Sequence, residues 1–404
     1  MHNNLRNTDM TGDIKQQWQQ DRRETYSCTG GFIASAQPED SAYLFCAAKL
    51  ETRAADFLSN FNGAVSYAVK ANPEARILQT LRRSGVQHFD VASLEEVRST
   101  LAIAPQATLH FNNPIKDDTS IAEAYQRYGV RSFALDETAE LEKIYRACGG
   151  DPEVRYTVRF KLEHSGAAYD FGSKFGATPD AAVQLLRLVK ARGGRPALTF
   201  HPGSQCVEPA MYGRYLEVAG DIIERAGVAP ELVNVGGGFP VQYAGADVPE
   251  LATFFAEIHS AAERFLPAGT PLMCEPGRAM VADSVSLLTR VIHVRENGHS
   301  LFVNDGVYGG MQEQLLIDLQ MPVRAWRGDS LLSGPVNEYH VFGPTCDPVD
   351  KLSRTTPLPK DLRAGDYIEF GLLGAYGSAT STGFNGFRSG GYRDILVAQD
   401  FSAR

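Results

Sequence analysis

Short apolar runs alternating with helix-like stretches constrain this chain more than any other feature. The strand-like runs cover residues 65–69, 88–92, 108–111, 131–135, 154–160, 197–200, 232–235 and 272–274. Between them, residues 74–83, 94–101, 120–128, 137–148, 179–191, 209–226 and 249–265 place apolar side chains three and four positions apart, as in Ala181, Leu185, Leu188 and Val189. About eight strand–helix steps in roughly 220 residues have the length and period of a (β/α)8 TIM-type barrel. A doubly wound sheet is the competing α/β arrangement, but it carries a G-x-G-x-x-G turn after its first strand. Here the first run ends in Lys70-Ala71-Asn72-Pro73 instead.

The alternation stops near residue 283. Segments 285–294, 300–303, 339–342 and 367–370 lie among Gly and Pro turns with no long helix between them, the pattern of a C-terminal antiparallel β domain. The expected division is an N-terminal segment, 1–45, joining the β domain; a barrel, 46–282; and a β-sheet domain, 283–404. A chain of 404 residues, 43% hydrophobic and 22% charged, is soluble in character and long enough for two cores. A net charge of -9 without a basic stripe argues against a nucleic-acid partner. No apolar run approaches the ~20 residues that span a bilayer, and residues 1–23 lack the apolar centre of a signal peptide, so no membrane association and a cytoplasmic location are expected. The six cysteines include no C-x-x-C pair, which suits neither a zinc site nor a disulfide framework; no metal is expected.

In a barrel of this kind the reactive groups follow the C-terminal ends of the strands. Lys70 ends the first run, Asp90 lies in the second, and Arg159 in the fifth. His201 and Ser204 follow the sixth, Gly236-Gly237-Gly238 the seventh, and Glu275 and Arg278 the eighth. Burial would strip the proton from Lys70 and leave an amine able to form a Schiff base; a lysine snorkelling out of the core would give the same pattern. Three consecutive glycines let backbone N–H groups approach an anion, or simply make a flexible turn. Arg278 adds a forked cation suited to phosphate. A reactive lysine, an acid, a histidine and a phosphate site at one barrel mouth point to pyridoxal 5′-phosphate.

Separate motifs then fall in one order: Tyr67-Ala68-Val69-Lys70-Ala71-Asn72, Phe89-Asp90-Val91-Ala92-Ser93, Phe111-Asn112-Asn113-Pro114-Ile115-Lys116, Lys174-Phe175-Gly176, Phe200-His201-Pro202-Gly203-Ser204, Gly236-Gly237-Gly238-Phe239-Pro240, Glu275-Pro276-Gly277-Arg278, Val303-Asn304-Asp305-Gly306-Val307-Tyr308-Gly309, Gly343-Pro344-Thr345-Cys346-Asp347, Gly374-Ala375-Tyr376 and Phe384-Asn385-Gly386-Phe387. Over about residues 43–400 the chain resembles the fold III pyridoxal-phosphate-dependent decarboxylases of the ornithine/lysine decarboxylase group, whose fold is alanine-racemase-like. The resemblance implies that Lys70 holds the cofactor covalently and that His201 stacks on the pyridine face. Ser204, Gly236, Gly237, Gly238, Arg278 and Tyr376 would hold the phosphate, with Asp90 and Arg159 supporting the network around Lys70. Glu275 would pair with the pyridine nitrogen and keep it protonated, so that the ring accepts the electron pair left when the Cα carboxylate departs. Alanine racemases place an arginine there, so Glu275 points to decarboxylation.

The resemblance also implies a homodimer with shared sites. Cys346 would return a proton to Cα across the interface, Asp347 would face the distal ammonium of the substrate, and Tyr308 and Phe384 would line its pocket. Lys174 would pair with Asp350 of the partner subunit. A thiol suits proton return because its pKa is within reach of neutrality; a cysteine packed beside a turn is the alternative. The family's second acid falls at Ile317 here, with Asp318 one residue on and Glu313 one turn back, and one residue turns a helical side chain by about 100°. The expected reaction converts L-ornithine to putrescine and CO2, with L-lysine or another basic amino acid as the alternative. Diaminopimelate decarboxylation fits less well, because Asp347-Pro348 replaces the Glu-Ser that follows the cysteine in that group and would repel a distal carboxylate. An amino-acid racemase and a non-catalytic homologue like the antizyme inhibitors complete the alternatives.

Overall fold

The computed structural model describes residues 24–162, 174–317, 320–398 and 401. The segment Ala64–Ala68 is buried from Val65 onward and carries no charge, so it can be satisfied only within a sheet covered on both faces. It is one of eight parallel strands, followed by His88–Val91, Thr108–Phe111, Ser132–Leu135, Arg155–Arg159, Arg195–Thr199, Val233–Asn234 and Leu272–Cys274. Each pairs with the next, and the last closes on the first through Met273 opposite Ala64 and Cys274 opposite Val65. The (β/α)8 expectation therefore holds.

The helices between them follow local chemistry. Thr178 caps Pro179–Ala191 by accepting the Ala181 N–H, the proline sits where no N–H is needed, and Ala182, Leu185, Leu186 and Val189 face the barrel. The helix Ala210–Ala226 stops at Gly227, which takes a left-handed turn at φ 63°. One barrel helix is absent from the sequence expectation: Ala47–Asn60 precedes the first strand. It inserts Leu50, Ala54 and Phe57, and the Phe57 ring meets Phe239 and Phe255 edge-on at 5.5 and 5.4 Å. Lys49, Glu51, Arg53 and Asp56 are interleaved with these positions and mask the pattern.

The second sheet has ten strands and is mostly antiparallel. Its longest strand, Val285–Val294, pairs antiparallel with Ala42–Phe45, Ser300–Val303 and Tyr367–Phe370. The antiparallel β domain is as expected, and three of its pairings are parallel. Tyr392–Ile395 lies parallel to both Thr25–Tyr26 and Ala42–Phe45, and Ser300–Val303 lies parallel to Val336–Phe342. The strand at 392–395 enters between two upstream strands by a long crossover rather than a hairpin, which permits the parallel direction. Among the described residues no helix is long and apolar enough to cross a membrane.

Barrel and sheet meet at the residues just past Lys70. The Asn72 side-chain amide donates to the Gly374 carbonyl at 2.8 Å and to the Tyr392 hydroxyl at 2.9 Å, while its carbonyl oxygen accepts from the Glu74 N–H at 3.1 Å. The Tyr376 N–H donates to the Ala71 carbonyl at 2.8 Å. The Tyr67 hydroxyl donates to the Asn72 carbonyl at 3.1 Å, and Arg76 pairs with Asp394 at 2.7 Å. Replacing the buried Asn72 with Ala leaves polar groups of both units without partners. The expected loss is about 2–3 kcal/mol of stability, read from the urea unfolding midpoint; a shift under ~0.5 kcal/mol would mean that water replaces the amide freely.

Candidate active site at the barrel mouth

Strand register brings the first two residues together. Ala68 lies opposite Asp90, and a single 3-10 turn, Val69–Ala71, carries Lys70 back over that strand. The Lys70 ammonium stands 3.3 Å from an Asp90 carboxylate oxygen. Asp90 is buried, while the Lys70 side chain is 45% exposed along the mouth. The charge of Asp90 outweighs desolvation and raises the Lys70 pKa above its ordinary value. The Asp90 carboxylate thus shifts the amine in the direction opposite to the one expected from burial alone.

Barrel closure brings Glu275 to the same mouth, one residue past Cys274 and its partner Val65. Its Oε1 accepts the side-chain amides of both Asn112 and Asn234. Burial, followed by the Asp90 charge, pushes the Glu275 pKa up to about 7, against the opposing pull of Lys70, Asn234 and Arg159. The Asn234 side-chain oxygen, Oδ1, also accepts the Gly236 N–H at 2.9 Å, which couples the carboxylate to the glycine loop. Neither asparagine was assigned a role from the sequence. The available signal was an amide at or just past a strand end, in Phe111-Asn112 and Asn234-Val235-Gly236.

The glycine loop is shaped by close approach. Gly236 and Gly238 have φ of 69° and 91°, and a Cβ at Gly238 would fall 2.2 Å from the Gly203 carbonyl oxygen. The loop's carbonyls are engaged outward: Gly236 accepts from Glu275 N–H, Gly237 from the Tyr212 hydroxyl, and Gly238 from Cys206 N–H. No acceptor among the described residues takes the Gly237 or Gly238 N–H. His201 Nδ1 accepts from Gly203 N–H at 3.0 Å. Burial, then Arg159 and Lys70, lowers the His201 pKa well below its ordinary value. The ring is therefore neutral, with its proton on Nε2.

Arg278 is buried, its guanidinium carbon 5.1 Å from the Tyr376 ring centre. Its two Nη atoms bind both oxygens of Glu313, and Nη1 also donates to the Tyr243 hydroxyl at 2.8 Å. Its Nε is buried without a partner, as is Asn112 Oδ1. Arg159 ends its strand with the guanidinium 5.6 Å from the Phe175 ring centre. An anion seated by the Gly237 and Gly238 N–H groups and Arg278 Nε, beside a lysine and a carboxylate, fits the donor and acceptor set of pyridoxal phosphate.

Residues 47–282 match the family model described as pyridoxal-dependent decarboxylase, pyridoxal binding domain. The chain belongs to the pyridoxal-dependent decarboxylases. Its cofactor is pyridoxal 5′-phosphate, and its class is carbon–carbon lyase. It is 32% identical to a lysine/ornithine decarboxylase of Selenomonas ruminantium over 331 residues, 80% of this chain and 81% of the relative. It superposes on the lysine/ornithine decarboxylase of Vibrio vulnificus complexed with putrescine, with a TM-score of 0.78 and 27% identity, covering 91% of this chain and 96% of that one. The arginine decarboxylase of Paramecium bursaria Chlorella virus is also similar, with a TM-score of 0.78 and 25% identity over 96% of this chain and 100% of that one.

Tyr308, Cys346, Asp347 and Phe384 form a second group on the turns of the β domain. The Asp347 carboxylate accepts the Tyr308 hydroxyl at 2.6 Å and the Val349 N–H at 2.9 Å. These two donors hold it below the usual carboxylate range. Tyr308 stacks at a tilt on Phe384 with 4.5 Å between ring centres, and the exposed Cys346 thiol lies 3.4 Å from Asn385 Oδ1. Asp350 is only 2% exposed and accepts the Val307 and Thr345 N–H groups of its own chain, one on each carboxylate oxygen. Glu313 is bound to Arg278 rather than open to a distal amine, and Asp318 lies outside the described residues.

An Asp90→Asn variant tests the charge balance at the mouth. Loss of the largest raising influence should move the pH at which limiting acetic anhydride acylates Lys70 downward, as read by peptide mass spectrometry. An unchanged profile would show that Asp90 does not control the amine.

Proposed function

We propose that the chain decarboxylates a basic amino acid, L-ornithine first and L-lysine second, with Cys346 and Asp347 completing the site of a partner subunit. The observation that carries this reading is Asp347. It is an anion at neutral pH standing beside an exposed thiol, so it favours a distal cation and disfavours the distal carboxylate of diaminopimelate. Each of its oxygens already accepts one hydrogen bond. What remains suits a compact ammonium better than the planar, two-pronged guanidinium of arginine. Val349, Phe384 and Phe387 are 47, 42 and 46% exposed around this group, which supports burial against a second copy in a homodimer. A cytoplasmic location remains part of the proposal.

Bound pyridoxal phosphate supplies an electron sink for the pair released as CO2 leaves Cα. Lys70 would hold the cofactor covalently. Ser204, Gly236, Gly237, Gly238, Arg278 and Tyr376 would seat the phosphate, and His201, being neutral, would lie against the ring without adding charge. Glu275 would hold a proton on the pyridine nitrogen, with Asn112 and Asn234 fixing its other side. Cys346 Sγ would return the proton to Cα, and its exposure leaves it free to enter a neighbouring mouth. A carboxylate at position 275 favours decarboxylation over racemisation. The intact set of lysine, aspartate, glutamate, arginine and thiol disfavours a non-catalytic role.

Release of CO2 should be fastest from L-ornithine in a panel with L-lysine, L-arginine and meso-diaminopimelate; preference for arginine or diaminopimelate would overturn the reading of Asp347. Asp347→Asn should lower kcat/KM for the preferred diamino acid by about 10- to 100-fold, the loss of one charge-assisted contact. Asn234→Ala removes a donor that favours the Glu275 anion, so the Glu275 pKa rises further. Activity that needs the anion is lost on its acid side, and the acid limb of the kcat/KM profile should move to higher pH. A limb that stays in place would separate Asn234 from Glu275.

A further inference from the structure

We propose that Glu313 is a positioning residue for the cofactor: by gripping the end of the Arg278 guanidinium, it turns the remaining edge, with Nε, toward the phosphate. This rests on the cofactor-site reading above. A guanidinium offers five N–H donors in a rigid fork. Glu313 takes one from each Nη, and the Tyr243 hydroxyl takes another from Nη1. The donors left over are one N–H on Nη2 and the Nε–H, adjacent on the same edge and spaced for two oxygens of one anion. Nε is buried and unpartnered, a condition that native proteins tolerate mainly where a ligand completes the bonding.

Glu313 is itself held in place. It lies on the 3-10 turn Gln312–Leu315 and is only 9% exposed as a residue. The turn is anchored by Met311 N–H to Gly306 carbonyl at 3.1 Å and Gln314 N–H to Met311 carbonyl at 3.0 Å. Gly306 in turn lies against the buried Asp350, so the turn that carries the Glu313 carboxylate is held by backbone contacts. An arginine has several torsions to order, and a preset grip removes that cost from cofactor binding. The sign of the effect is diagnostic. A carboxylate near a phosphate repels it, so if Glu313 acted only through its charge, its removal would tighten binding.

The test is titration of pyridoxal phosphate into the full chain stripped of cofactor, with dissociation constants read from the cofactor's absorbance for wild type, E313A, E313Q, E313D, R278A and the R278A double variants. E313A and E313Q should weaken binding by about 10- to 100-fold, and E313D should recover part of the loss. In the R278A background, further loss of Glu313 should cause no additional weakening, because its favourable effect passes through Arg278 and only its repulsion of the phosphate is left to lose. The 31P resonance of the bound phosphate in E313Q should shift toward its position in R278A, which a merely structural role would not produce. E313Q keeps the side-chain shape and decides the matter if E313A does not fold. Tighter binding in E313Q, or additive losses in the double variant, would overturn the proposal. A wild-type chain that takes up no pyridoxal phosphate would overturn the site reading along with it, whereas normal uptake with unchanged binding in E313Q would overturn this inference alone.

Discussion

Glu275 is an acid held where burial and the nearby Asp90 both oppose its charge. The barrel mouth answers with two amides on one oxygen and with Lys70 and Arg159 within reach. The rest of the mouth follows from this balance. Asp90 holds Lys70 as a cation, and the same cations that favour Glu275 help to keep His201 neutral. In a partly dry site such couplings are stronger than in water, so altering one group retunes the others. The closed register makes this possible, since strands far apart in sequence deliver Lys70, Asp90 and Glu275 to one rim.

The candidate site residues lie in two places on the chain. Lys70, Glu275 and the glycine loop face inward at the mouth. Cys346 and Asp347 stand on the turn between the strands Val336–Phe342 and Thr356–Pro359, among exposed apolar side chains. Arg278 joins the units in another way, because it leaves the last barrel strand and reaches Glu313 beyond Val285–Val294. The Arg278–Glu313 pair thus ties both units together within one chain.

Much of this was legible in the residues. Buried strands announce themselves as uncharged runs, and caps such as Thr178-Pro179 mark their helices, so barrel strands and helices fall within a few residues of expectation. The helix Ala47–Asn60 was not legible, because charged residues break up its apolar positions. The residues gathered at the mouth could be named from motif order, but their states could not. Lys70 keeps its proton because of a carboxylate twenty positions away, and Glu313 is diverted by an arginine thirty-five positions upstream. Such pairings depend on register and packing, which no local pattern encodes. The three parallel pairings in the second sheet were hidden for the same reason.

The second sheet is interrupted by the whole barrel: Phe45 pairs with Val285, and everything between them is barrel. The barrel closes mainly through successive neighbours, whereas the sheet must wait for partners separated by a very long loop. Its strand Tyr392–Ile395 slots between Thr25–Tyr26 and Ala42–Phe45, and Tyr392 supplies the hydroxyl that meets Asn72 beside Lys70. On a ribosome, the mouth would therefore remain unbraced until residue 392 had emerged. Assembly of the reactive centre is in this way timed to a late stage of synthesis, long after the lysine itself has been made.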